Sequence, residues 1–150
     1  MQAEFHILLV EDSRADAKII ARALSEARIP HRLTVLIDGR QALDYLARLG
    51  EPETAVELQP DLILLDLNLP GLDGCQVLGK IKGDPRFRAL PVVVLTTSRR
   101  EEDILETYQA GANSFIAKPA EYPLYRDLVR SLHSYWYDTT LRPTLVRPKL

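Results

Sequence analysis

The chain has 150 residues, of which 46% are hydrophobic and 27% charged, a composition typical of one globular domain with a full core. Its formal net charge of -2, with acids and bases mixed along the chain, gives no support to a nucleic-acid or polybasic membrane surface. A single cysteine excludes an internal disulfide, and no apolar run approaches the ~20 residues that span a membrane. We therefore expect a small cytoplasmic protein with neither a nucleic acid nor a membrane as its partner.

Short apolar runs followed by helical periodicity predict the first elements of the fold. Residues 5–10 form a buried-strand run that ends in two acids, Glu11 and Asp12. Ser13 and Asp16 then stand at capping-box spacing, which predicts the start of a helix. The next predicted elements are a strand over 32–37, a helix that ends at Gly50, and a polar connecting loop over 51–60.

A near-continuous apolar run over 62–65 predicts a central strand of a parallel sheet, because helices cover both faces of such a strand. Asp66 stands at the carboxyl end of this strand, and a Pro-Gly turn then leads to a helix that Asp73 caps. Ligands of open α/β sheets bind outside the carboxyl ends of the strands. Asp66 is therefore a candidate for chemistry.

The second half of the chain repeats the alternation of strands and helices. The predicted elements are strands over 91–95 and 114–117, a helix over 101–110, and a last helix with an apolar stripe that reaches Trp136. We predict one domain over 1–137 and a proline-containing tail over 138–150. Five β-α repeats predict an α/β fold, a doubly wound five-stranded parallel sheet in a (βα)5 three-layer sandwich.

The polar side chains that follow the first, third, fourth and fifth predicted strands are candidates for one site. These are Glu11 and Asp12 after the first strand, Asp66 after the third, Thr96 after the fourth and Lys118 after the fifth. If those strands are neighbours, one pocket holds three carboxylates, which repel each other and usually need a cation. Carboxylates, a backbone carbonyl and waters suit Mg²⁺, and a carboxylate beside Mg²⁺ can attack phosphorus. The ammonium and the hydroxyl are suited to hold the remaining phosphoryl oxygens.

Four motifs stand in a fixed order along the chain: Val10-Glu11-Asp12, Leu65 to Pro70 with Asp73-Gly74, Leu95-Thr96-Thr97, and Lys118-Pro119. Together they closely resemble the receiver domain of two-component response regulators, from about residue 7 to residue 136. The resemblance implies the flavodoxin-like receiver fold and a phosphoryl group accepted on Asp66 from the phosphohistidine of a histidine kinase. It also implies that Glu11, Asp12 and Asp66 bind Mg²⁺ together with the backbone carbonyl of Asn68.

The resemblance further assigns the residues that respond to phosphorylation. Lys118 would contact the phosphoryl group, and Thr96 would swing toward it as the switch residue. Phe115 matches the position of the aromatic switch partner, where the commoner residue is Tyr, so a readout here would use the ring without a hydroxyl. The Lys118-Pro119 bond matches a peptide bond that is cis in the family.

A narrower resemblance concerns the partners. The loop before the third strand, the Leu-Thr-Thr-Ser sequence and the Ser-Tyr-Trp end of the last helix are similar to single-domain regulators paired with bacterial phytochrome kinases. About a dozen residues follow the last helix, too few for an output module, so we expect signalling by protein contact rather than enzymatic turnover. Aromatic residues crowd the last helix, and we predict a homodimer through the fourth helix, fifth strand, fifth helix and tail.

Three other functions remain open from the sequence alone. A phosphatase of the haloacid-dehalogenase type also attacks phosphorus from a strand-end aspartate, but it needs a second acid where this chain has Asn68. A receiver that signals without phosphorylation would not need the intact set of acids. A phosphate sink that drains a shared kinase would keep the same site.

Overall fold

The fold is a strict alternation of strands and helices, described for residues 4–51 and 58–145 of the computed structural model. The strands are β1 (Phe5–Val10), β2 (His31–Leu36), β3 (Leu62–Leu65), β4 (Val92–Thr96) and β5 (Ser114–Ala117). The helices are α1 (Arg14–Glu26), α2 (Gly39–Leu49), α3 (Gly74–Gly83), α4 (Glu101–Gln109) and α5 (Tyr122–Leu132), and a π-helical segment (His133–Thr139) continues α5.

The five strands form one parallel sheet in the order β2-β1-β3-β4-β5. The order reverses between β1 and β3, which opens a crevice at the carboxyl ends of these two strands. Val10 is in register with Leu65, and Leu65 with Val94, so the residues that follow β1, β3 and β4 emerge at the same edge. The predicted doubly wound (βα)5 sandwich is confirmed.

Apolar side chains on the two faces of the sheet form two core layers. Every residue of β1, β3 and β4 is buried, which explains why their sequences are apolar without alternation. Ile63 and Leu65 pack with α2 and α3 on one face, while Leu62 and Leu64 pack with α1 and α5 on the other. Burial of each such side chain contributes about 2 kcal/mol to the stability of the fold relative to an exposed one. The position of β3, and of Asp66 that follows it, is therefore fixed by packing on both faces.

Side-chain caps fix where the helices of the site begin. Asp73 and Gln76 form a complete capping box at the start of α3, as the N-cap role predicted for Asp73 requires. At the start of α1, the Ser13 hydroxyl accepts the N–H of Asp16 at 3.2 Å. The carboxylate of Asp16 is bonded elsewhere, to Lys118. The helix start predicted from the spacing of Ser13 and Asp16 is confirmed, and the Asp16 side chain contacts Lys118.

The carboxyl-terminal part of the chain differs from the sequence expectation in two details. Helical structure continues to Thr139 as the π-helical segment, past the position where a tail was predicted to start. No peptide bond in the described ranges is cis, so the expectation of a cis bond before Pro119 is wrong.

The central residues 52–57 of the predicted loop lie outside the described residues. No helix within the described ranges is long and apolar enough to cross a membrane.

Candidate functional site

Lys118 is the centre of the site, and its ammonium group joins three elements. Its Nζ donates to Glu11 Oε1 at 2.5 Å, to Asp16 Oδ2 at 2.7 Å and to Asp66 Oδ2 at 2.9 Å. These acids follow β1, begin α1 and follow β3, so the lysine after β5 closes the crevice from the opposite side. The ammonium has three N–H donors, and each of them has a carboxylate partner.

Glu11, Asp12 and Asp66 form an acidic cluster whose nearest oxygens all lie within 4.8 Å of one another. Glu11 and Asp66 are buried, whereas Asp12 is exposed and leaves the cluster open to solvent. Carboxylate oxygens at this spacing repel each other and are the ligands that a hard divalent cation prefers. The cluster therefore fits the Mg²⁺ that the sequence predicts.

The electrostatics of the buried pair follow from desolvation and hydrogen bonding. Burial, reinforced by the charge of Asp66, raises the pKa of Glu11 to about 7, although Lys118 and the N–H of Ser13 oppose this rise. Burial lowers the pKa of Lys118, but its hydrogen bonds to Asp16, Glu11 and Asp66 raise that pKa more, to well above its usual value. Lys118 therefore carries its positive charge at every physiological pH.

The two oxygens of Asp66 have different partners. Oδ2 accepts from Lys118, and Oδ1 accepts the backbone N–H of Asn68 at 3.1 Å. The Leu67 carbonyl accepts the N–H of Gly74 at 2.9 Å, which fixes the turn that leads into α3. Asn68 thus lies beside the acidic cluster, and the cation contact of its backbone carbonyl remains a prediction.

The two predicted switch residues lie on the neighbouring strands β4 and β5. The side chain of Thr96 is fully buried, and its Oγ1 accepts the N–H of Ser98 at 3.4 Å. The Thr96 carbonyl accepts the N–H of Lys118 at 2.7 Å, which joins the ends of β4 and β5. Phe115 packs against the core layer of α2 and α3, and its backbone N–H donates to the hydroxyl of Tyr108 at 3.1 Å. Their switch roles remain predictions.

Asp16 is the site residue that sequence reasoning missed. It lies in the first turn of α1 and lines a cavity of about 450 Å³ together with Thr97, Arg99, Lys118 and Tyr122. Its contact with Lys118 spans 102 residues, so no local pattern contains it. The available signal was positional, because an acid in the first turn of the helix after β1 stands at the same edge of the sheet as the strand-end residues.

Comparison with known proteins identifies the family of this chain. The sequence profile of the response regulator receiver domain matches residues 7–130. The chain is 41% identical over 137 residues to the response regulator Rcp1 of Synechocystis sp.. The aligned residues make up 91% of this chain and 92% of that protein.

Two solved structures are similar over nearly their whole length. The phosphorylated cyanobacterial phytochrome response regulator RcpA has a TM-score of 0.83 at 42% identity, over 94% of this chain and 99% of that one. The Mn²⁺-bound form of the response regulator Rcp1 has a TM-score of 0.79 at 40% identity, over 92% of this chain and 98% of that one. The predicted resemblance is confirmed in sequence, in strand order and in overall structure, and the chain belongs to the response regulator receiver domain family.

Proposed function

We propose that this chain accepts a phosphoryl group on Asp66 from the phosphohistidine of a histidine kinase and passes the signal on by protein contact. The observation that carries the proposal is the state of Asp66. It is a buried carboxylate at a strand end, held by Lys118 and by the N–H of Asn68, beside two further acids. The similarity of the whole chain to a phytochrome response regulator supports a kinase of the phytochrome type as the donor of the phosphoryl group.

The residues of the site divide the transfer between them. A carboxylate oxygen of Asp66 forms the new P–O bond as the P–N bond of phosphohistidine breaks, and the imidazole nitrogen keeps the electron pair and takes a proton. The ammonium of Lys118 neutralises oxygens of the transferred group. A divalent cation held by Glu11, Asp12 and Asp66, with the Asn68 carbonyl, would supply the positive charge that the phosphoryl oxygens need.

The chemistry of this chain is then limited to its own phosphorylation and dephosphorylation. The residue two positions after the phosphoacceptor is Asn68, which cannot donate a proton to a leaving group as a carboxylic acid does. Turnover of small phosphomonoesters is therefore not expected. We further propose that the protein acts in the cytoplasm, with protein partners and without nucleic acid or membrane.

Phosphorylation would act by shifting a conformational equilibrium. Attraction of the Thr96 hydroxyl to the phosphoryl group would favour one arrangement of the loop after β4, of α4 and of Phe115. Large apolar side chains on this face are exposed, namely Leu105, Tyr108 and Leu124. Their exposure supports a homodimer through α4, β5, α5 and the tail.

Incubation with Mg²⁺ and acetyl phosphate, followed by intact mass measurement, tests the phosphoacceptor. We expect one phosphoryl adduct that is lost in Asp66→Asn and after chelation of the cation. Asp44→Asn, at an exposed position on α2, is the matched control and should keep the adduct. No adduct on the unchanged chain, with acetyl phosphate or with histidine kinases, would overturn the proposal.

Sedimentation over a range of concentrations, with and without acetyl phosphate, tests the homodimer. Leu105 is 59% exposed on α4, and Leu105→Glu should shift the chain toward the monomer. Ile37 is 51% exposed beyond the opposite edge of the sheet, so Ile37→Glu is a control of similar exposure. A monomer under every condition, phosphorylated or not, would exclude the dimer.

A further inference from the structure

The third hydrogen bond of Lys118, to Asp16, serves neither the cation cluster nor the phosphoacceptor. We propose that Asp16 is a positioning residue that restrains the Lys118 ammonium and slows the acceptance of a phosphoryl group. The inference rests on the proposed function of Asp66. It concerns the regulation of that site rather than its identity.

The restraint follows from the number of donors on an ammonium group. Lys118 has three N–H groups, and Glu11, Asp16 and Asp66 occupy them. A phosphoryl oxygen can accept from Lys118 only after one of these bonds is released. The side chains of Glu11 and Asp66 are 1% and 5% exposed, whereas that of Asp16 is 30% exposed. Water can replace the Asp16 bond most easily, so Asp16 is the exchangeable partner.

The charge of Asp16 acts in the same direction. Its carboxylate adds a third negative charge beside the ammonium that also contacts Glu11 and Asp66, and it lies outside the group of acids whose oxygens could share a cation. One ammonium shared among three acids does not neutralise all of their charge. A phosphodonor is an anion, and it would approach Lys118 against the negative charge that remains. Asp16 and Lys118 line the same cavity, so the charge lies where Lys118 is reached from solvent.

Asp16→Asn separates this restraint from a purely structural tie between α1 and the end of β5. The amide keeps the shape of the side chain and an oxygen that can accept from Lys118, but it removes the charge. We expect phosphorylation by acetyl phosphate in Mg²⁺ to become about two- to fivefold faster at low salt, the range for a partly exposed charge pair. The ratio of the rate of Asp16→Asn to that of the unchanged chain should approach one in ~0.5 M salt because screening removes the repulsion.

Two further variants complete the comparison. Asp16→Glu keeps the negative charge and should remain slow. Asp44→Asn makes the same change in net charge on the exposed face of α2 and should also keep the original rate. Exchange of the Lys118 ammonium protons, followed by ¹⁵N NMR, gives a readout apart from phosphorylation and should be faster in Asp16→Asn. Urea unfolding of each variant confirms that the fold is retained.

The outcomes distinguish this inference from the function on which it rests. If the unchanged chain takes up phosphate and Asp16→Asn is equally fast or slower, the restraint is wrong while the phosphoacceptor role stands. A gain that is independent of salt would also overturn the electrostatic account. If no chain is phosphorylated, the proposed function itself fails.

Discussion

Gly74 approaches the backbone of Asp66 so closely that a Cβ atom there would lie 2.2 Å from the Asp66 carbonyl oxygen and 2.5 Å from the Leu67 Cα. Gly74→Ala must therefore displace the turn that carries the phosphoacceptor. We expect it to lower the free energy of unfolding by about 1–3 kcal/mol, the usual effect of overpacking a rigid site. Urea unfolding measures this loss, and calorimetric titration with Mg²⁺ should show weaker binding.

Gly79 provides the matched control in the same helix. A Cβ atom at Gly79, in the interior of α3, would meet nothing within 4 Å. Gly79→Ala should therefore raise the free energy of unfolding by about 0.5–1 kcal/mol, because alanine loses less backbone entropy in a helix. Equal effects of the two substitutions would contradict the role given to close packing at Gly74.

His6 is a buried titratable group at the opposite end of the sheet. Its Nδ1 lies 3.1 Å from the Gln59 carbonyl oxygen, and its Nε2 lies 2.9 Å from the Thr34 hydroxyl oxygen. A carbonyl can only accept, so Nδ1 carries the proton of the neutral ring and Nε2 accepts from the hydroxyl. Burial and the charge of Arg32 lower the pKa of His6 below 6.5, although Gln59, Asp61 and Glu4 oppose this shift.

A lowered pKa makes the contribution of His6 to stability depend on pH. The unfolded chain binds a proton near pH 6.5 while the folded chain does not, so the contribution is complete above this pH and is lost as the pH falls. Between pH 7 and 5, we expect the free energy of unfolding to fall less steeply with pH in His6→Gln than in the unchanged chain. The two slopes should differ by up to ~1.4 kcal/mol per pH unit. Urea unfolding at several pH values measures both slopes, and parallel slopes would show that His6 does not titrate on unfolding.

At the scale of the elements, α4 is the helix with the weakest attachment to the core. Among the residues described, Thr107 is its one buried residue, whereas α5 buries three. Two hydrogen bonds add to this attachment. Ser98 Oγ donates to Asp103 Oδ2 at 2.5 Å, and the hydroxyl of Tyr108 accepts the N–H of Phe115. Because Ser98 also donates its N–H to Thr96 Oγ1, the first bond connects α4 to the predicted switch residue.

Ser98→Ala should therefore loosen α4 without unfolding the protein. A hydrogen bond to a carboxylate contributes about 1.5–3 kcal/mol, so amide exchange over 104–109 should become at least about tenfold faster. Exchange in α5 is the internal control and should change little. Ser98→Thr keeps the hydroxyl and should restore protection, whereas equal exchange in the unchanged chain and in Ser98→Ala would show that packing alone holds α4.

At the scale of the whole molecule, the sequence predicted what depends on pattern. The apolar runs of β1 and β3 predicted buried parallel strands, because both faces of such strands are covered. Ligand sites of such sheets lie at the carboxyl ends of the strands, and this rule predicted that Asp66 and Lys118, which are 52 residues apart, lie close together. The contact of Asp16 was not predictable in this way, since its local pattern is that of a helix cap. The π-helical segment has no periodic signal of its own.

The chain after the π-helical segment is held by tertiary contacts that no local pattern contains. Its described part, residues 140–145, is called the C-terminal segment here. Gln59 Nε2 donates to the Pro143 carbonyl at 2.8 Å, and Gln59 Oε1 accepts the N–H of Leu145 at 2.7 Å. Arg142 forms an ion pair with Asp61 at 3.0 Å and also donates to backbone carbonyls of the helical end, including that of Trp136. The C-terminal segment thus joins the end of the helix to the residues that precede β3.

Arg142→Ala should release this segment while the sheet stays folded. The guanidinium donates several charged hydrogen bonds, each of which contributes about 1.5–3 kcal/mol, and alanine can replace none of them. Leu141 is fully exposed, so chymotrypsin cleavage after Leu141 reports the release and should become at least about tenfold faster. Trp136 is the single tryptophan of the chain, and its fluorescence should change as the Arg142 contact is lost.

Arg130→Ala removes an exposed arginine that lies 4.0 Å from Asp127, and it should leave both signals unchanged. Equal cleavage of the two variants would mean that Gln59 and the packing of Leu145 hold the segment without Arg142.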